Sequence, residues 1–116
     1  MPNAVPFTHV ADLAARIEVP ADGTLSVTLH QDDEVKVVLF GFAAGQELSE
    51  HTASVPAILH QIKGEARWRL GEQTIDAQPG TWVHLAARVP HAIAAQTPTI
   101  MLLTLLRSAK SLSSDK

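Results

Sequence analysis

Six histidines carry most of the chemistry that this 116-residue chain can offer: His9, His30, His51, His60, His84 and His91. An imidazole titrates near neutrality, moves protons and ligates first-row metals. There is no Cys, so thiolate nucleophiles, thiolate metal sites and disulfides are excluded, which fits a reducing compartment. Hydroxyls crowd one imidazole, with Ser49, Thr52 and Ser54 around His51. A Ser–His nucleophile also needs a group that orients the base, and nothing in the sequence positions one. Glu47 and Glu50 precede His51, but neighbouring residues on a strand point to opposite faces, which sets Glu50 against a role at that ring. The glycines form no phosphate-binding run.

The elements that must position these groups read as short strands. Leu25 to His30 alternates apolar and polar residues, and Val35 to Phe42 is β-branched and aromatic. Further strands are expected over Pro56 to Ile62, Glu65 to Leu70, Gln73 to Asp76, Thr81 to Leu85 and Thr99 to Leu106. Bends fall at Gly45-Gln46, Lys63-Gly64, Gly71-Glu72 and Gln78-Pro79-Gly80. Only Val10 to Arg16 has a helical spacing, and it is too short for more than a turn or two. No crossover helices fit between the strands, so an all-β sandwich or barrel is expected rather than a parallel α/β sheet. The expected organisation is an N-terminal arm over 1–23, a barrel over 24–107 and a flexible tail over 108–116.

Nine Lys and Arg against twelve Asp and Glu give a net charge of −3, which disfavours nucleic acid or an anionic membrane as the main partner. The longest apolar stretch, Ile100 to Leu106, is strand-length, far from the roughly 18–20 residues of a membrane span. The first residues lack a basic region followed by an apolar one, so no signal peptide is expected and the cytoplasm is the expected location.

Two stretches have a distinctive spacing: Gly45-x5-His51-x-Ala53-x3-Ala57-x6-Gly64 and Gly80-x5-Ala86-x-Arg88-x2-His91-x3-Ala95. Together they resemble the two motifs of the cupin superfamily, G-x5-H-x-H-x3-E-x6-G and G-x5-P-x-G-x2-H-x3-N. The resemblance spans roughly residues 35 to 106. The local texture of "FAAGQELSEHT", "IKGEARW" and "VPHAI" is similar to that of small single-domain bacterial cupins of the RmlC-like type. It implies a jelly-roll barrel (a double-stranded β-helix), a central pocket and a homodimer.

Metal-binding cupins use two His and a Glu from the first motif and one His from the second. By position, His51 and His91 are kept, while Ala53 and Ala57 replace the other two ligands. A divalent ion at a protein site usually needs three or four protein ligands, so the implied metal site is incomplete. Any Ni, Mn, Fe or Zn would be weakly held. One rescue exists. If alternation continues from Ala57, then Leu59 and Gln61 share its inward face, and Gln61 offers a carbonyl oxygen. The expected pocket is lined by His51, Ala53, Ala57, Leu59, Gln61 and His91, with Phe40, Val83, Leu85 and Ile93 also inward. Two alanines make it wide and dry, suited to a mostly apolar ligand whose carboxylate or carbonyl meets His51 and His91. No Lys lies in it, which argues against Schiff-base chemistry.

The same alignment turns His60 and His84 away from the pocket, into an outer patch with Ile58, Ile62 and Trp82 that would serve as a dimer face. Arg88 is either a solvated loop charge or a guard at the mouth that attracts an anion. Arg67 and Arg69 belong to a solvated strand face, and His30 to the surface; His9 lies in the arm. The leading functional reading is a protein that binds a small organic ligand beside a degenerate metal site. The alternatives are a metal-dependent dioxygenase or isomerase using His51 and His91, and a purely structural partner protein acting through its outer sheet.

Overall fold

The computed structural model describes residues 6–107. Residues 1–5 of the expected arm and the expected tail over 108–116 lie outside that range.

The arm carries one short 3-10 turn, Leu13–Arg16, within the stretch expected to form no more than a turn or two. Asp12 caps it by accepting from the Ala14 N–H at 3.2 Å. Nine strands follow among the described residues: β1 (Thr24–Gln31), β2 (Val35–Phe42), β3 (Glu47–His51), β4 (Ala57–Lys63), β5 (Ala66–Leu70), β6 (Gln73–Ala77), β7 (Trp82–Leu85), β8 (His91–Ala95) and β9 (Thr99–Leu106). They form one sheet in the order β1-β2-β9-β4-β7 and a second in the order β3-β8-β5-β6. Every ladder is antiparallel. This is the expected all-β jelly roll, with the two sheets closing over a common core.

Alternation decides what that core contains. Across the larger sheet, Phe40, Met101 and Gln61 share one inward row, and Val38, Leu103, Leu59 and Val83 the next. Phe40, Leu59, Val83, Met101 and Leu103 meet Trp68 and Ile93 from the smaller sheet in one cluster that includes Phe42 and Leu85. Each large apolar side chain buried there contributes about 1.5–3 kcal/mol. The opposite face of the larger sheet is half-covered by the arm. Ile17 packs on Leu39 and Ile100, with Ala14, Val19, Val27 and Ile62 around them.

Strands β3 and β8 are absent from the sequence reading. β3 is Glu-Leu-Ser-Glu-His and β8 is His-Ala-Ile-Ala-Ala, both poor in the β-branched and aromatic residues that mark strands. Pairing with better strand formers makes them strands: β8 sits between β3 and β5, with Ile93 opposite Trp68.

Candidate functional site

His51 ends β3 and His91 begins β8, and the two are register partners. Leu48 pairs with Ile93, so strict alternation would bring Glu50 opposite His91. The ladder instead shifts by one residue between Leu48 and His51. This bulge puts His51 opposite His91 and sends Glu50 to the outer face, where its carboxylate pairs with Arg69. Bulges next to sites commonly re-aim a side chain in this way. The imidazole rings lie with centroids 4.2 Å apart and planes at 62°, an edge-to-face pair.

Both rings are oriented by main-chain carbonyls. His51 Nδ1 lies 2.9 Å from the Ser49 oxygen, and His91 Nδ1 lies 3.0 Å from the Val89 oxygen. A carbonyl only accepts, so each Nδ1 carries the proton and donates it. In the neutral rings, each Nε2 is left with a lone pair. His91 is 4% exposed, and its pKa is lowered: burial is the main cause, the Val89 hydrogen bond opposes it and the charge of His51 adds to it. His91 is therefore neutral at pH 7. His51 is exposed and forms the open side of the pair.

A neutral ring with Nδ1–H committed to the backbone cannot donate to a ligand carboxylate or carbonyl. Its Nε2 accepts, so the matching group is an O–H, an N–H or a cation.

The other expected site residues separate into two groups. Ala53 is half-buried near the pair, and its carbonyl accepts from the Arg88 N–H at 2.8 Å. Ala57, Leu59 and Gln61 face inward as expected, but they are 2%, 1% and 0% exposed. A side chain so inaccessible to a water-sized probe has no ligand-sized space beside it. The wide central cavity is thus not present along this wall. Trp68, Phe42, Met101 and Ile93 fill the interior that the alanines would otherwise open.

Gln61 does not rescue the metal site. Its Nε2 donates to the carbonyls of Lys63 (3.2 Å) and Gly64 (2.9 Å), which ties it to the turn before β5. His91 pairs with Leu70 at the far end of β5, whereas that turn precedes Ala66. Four residues of strand separate the two ends by about 13 Å. With its Nε2 held at that turn, the Gln61 amide is directed to the end of β5 opposite His91. Among the described residues, no group of three or more His, Cys, Asp or Glu could hold a metal. Two imidazoles with alanines in the remaining positions do not fit a resident divalent ion. Gln61 Oε1 and Trp68 Nε1 are buried without protein partners among the described residues.

The outer face of the larger sheet bears out the expected parity. His60 pairs with Trp82, and Ile58 with His84. Trp82 is 57% exposed, while Ile62 belongs to the part covered by the arm. Arg67 lies on the solvated face, 3.1 Å from Asp76.

His30 is more engaged than the sequence suggests. Its Nε2 lies 2.8 Å from Asp32 Oδ2, so that nitrogen carries the proton, and its Nδ1 accepts from the Thr8 hydroxyl at 3.0 Å. Asp32 Oδ1 accepts from the Glu34 and Val35 N–H groups. The His30 hydrogen bond first, then those two backbone donors, pull the Asp32 pKa down to about 2. This relay clamps the arm to β1 over an apolar groove of about 610 Å³ lined by Phe7, Leu13, Leu29 and Val37. The only trace in the sequence is the His30-x-Asp32 spacing, since Thr8 is distant in the chain.

No helix among the described residues is long and apolar enough to cross a membrane. No family model matches the sequence, and no curated protein matches it. Solved structures do. A cupin superfamily protein from Desulfitobacterium hafniense is 32% identical with a TM-score of 0.79, covering 88% of this chain and 94% of that one. A conserved protein of unknown function from Streptococcus pyogenes is 27% identical, also with a TM-score of 0.79, covering 90% and 92%. An RmlC-like cupin from Desulfovibrio desulfuricans shares the fold at 23% identity and a TM-score of 0.77, covering 87% and 98%.

Proposed function

The chain belongs to the cupin superfamily, and from that membership we propose that it binds a small organic ligand at the His51–His91 end of its barrel, beside a metal site that lacks two of its ligands. The observation that carries this reading is the pair of imidazoles, 4.2 Å apart, with both Nδ1 atoms committed to carbonyls and both Nε2 lone pairs free. Two acceptor nitrogens on adjacent rings at one edge of an otherwise packed barrel suit a ligand that presents an O–H or N–H and rests its apolar part on Ala53 and its neighbours. The packed interior favours a ligand held at the mouth over one enclosed at the centre.

A metal-dependent dioxygenase or isomerase would draw on the same two lone pairs. Elemental analysis of the purified protein separates the two readings. The binding reading expects no stoichiometric first-row metal. A full equivalent that disappears in His51→Ala would favour the enzyme. We further propose a homodimer formed through the outer face around Trp82, since an exposed indole beside Ile58 gains by being covered.

A further inference from the structure

Six described residues have backbone in the left-handed region. Five are glycines (Gly23, Gly45, Gly64, Gly71 and Gly80), and the sixth is Arg88, with φ of 70°. A side chain at such a φ brings Cβ against the following carbonyl, and bulky residues there are uncommon. Strain that a glycine would remove persists where something else depends on the side chain. Two further observations say what that is. The Arg88 N–H bonds the Ala53 carbonyl at 2.8 Å, which anchors the residue on the rim between the two histidine-bearing segments. Arg67 and Arg69 are each paired with a carboxylate, whereas Arg88, like Arg16 and Arg107, has no carboxylate partner among the described residues.

We propose that Arg88 makes the His51–His91 site selective for a small carboxylate that also carries an O–H or N–H. The inference rests on the ligand-binding reading above. A guanidinium takes one carboxylate through two parallel N–H donors, which neither neutral imidazole can do. The acid group belongs to Arg88, and the adjacent hydroxyl or amine donates to the free Nε2 atoms. One cation balances one carboxylate. A phosphate dianion would call for more donors than this rim supplies.

The test uses mandelate, its neutral amide mandelamide and phenyl phosphate as probes, read on the imidazole signals of His51 and His91 by NMR. In the wild type, mandelate is expected to bind at least tenfold more tightly than mandelamide or phenyl phosphate. In Arg88→Gly that preference is expected to vanish, while the melting temperature holds or rises by up to about 5 °C as the strain is released. Arg88→Lys should keep part of the preference for the acid. Equal binding of acid and amide, tighter binding of phenyl phosphate, unchanged mandelate affinity in Arg88→Gly, or a less stable Arg88→Gly would each overturn the role given to Arg88. If no probe moves either imidazole signal, the binding reading itself falls, and this inference with it.

Discussion

His51 stands opposite His91 because β3 holds one residue more than its partner strand between Leu48 and His51. Without that extra residue Glu50 would face His91, and a carboxylate would lie where an acceptor nitrogen now does. The edge-to-face contact of the rings follows from this shift, as does the outward pairing of Glu50 with Arg69.

The buried ring makes stability depend on pH. The pKa of His91 is lowered from 6.5 in the folded protein, chiefly by burial, so the unfolded chain binds more protons in the interval below 6.5. Stability should therefore fall as pH drops from 6.5 through the folded pKa, with no such loss above 6.5. Urea denaturation from about pH 8 to pH 5 checks this, and His91→Gln should flatten the dependence. Asp32 adds a separate acid-side effect: its stabilising contribution is present above 3.8 and is lost as pH falls through about 2.

Packing along β4 gives a second expectation. If Ala57, Leu59 and Gln61 border no cavity, Ala57→Leu overfills the interior and should cost about 1–3 kcal/mol. Leu59→Ala should cost about 2–5 kcal/mol. A ligand-sized space beside Ala57 would instead accept the added methyls with little loss, and denaturant midpoints distinguish the two.

Much of the barrel is legible in the sequence. Val35–Phe42 and Thr99–Leu106 have the expected bounds, because a long β-branched and aliphatic run between turn residues has few alternatives. The strands that hold the two histidines are not legible, since β3 is polar and β8 rich in alanine. The spacing of His51 and His91 betrays their meeting, but not the bulge that aims His51 inward. The alanines at 53 and 57 suggest an open cavity only while Trp68 and Phe42 are ignored. How far those large side chains reach across the barrel is a tertiary fact. The Thr8–His30 contact joins residues 22 apart and leaves no local pattern.

One absent ligand can be put back. Ala53→His, at a half-buried position that has room for a ring, should strengthen weak or absent binding of Ni or Mn, because three imidazoles would meet the ion in place of two. Isothermal titration of this variant and the wild type measures the gain. Adding His51→Ala to the variant should abolish it.

The outer sheet face makes a prediction about assembly. Trp82→Lys should shift the protein from dimer to monomer in sedimentation velocity while leaving its fold intact, since the indole is 57% exposed in the single chain. A wild type that sediments as a monomer at high concentration removes this face from the account.

His51 and His91 each commit Nδ1 to a main-chain carbonyl, which leaves Nε2 as the acceptor at the edge of a filled barrel. Long-range proton–nitrogen correlation spectra at about pH 8 read the tautomer of each ring directly. A protonated Nδ1 and a bare Nε2 are expected in both His51 and His91, with no metal attached. A proton on Nε2 of either ring, or an equivalent of metal bridging them in the wild type, would contradict this.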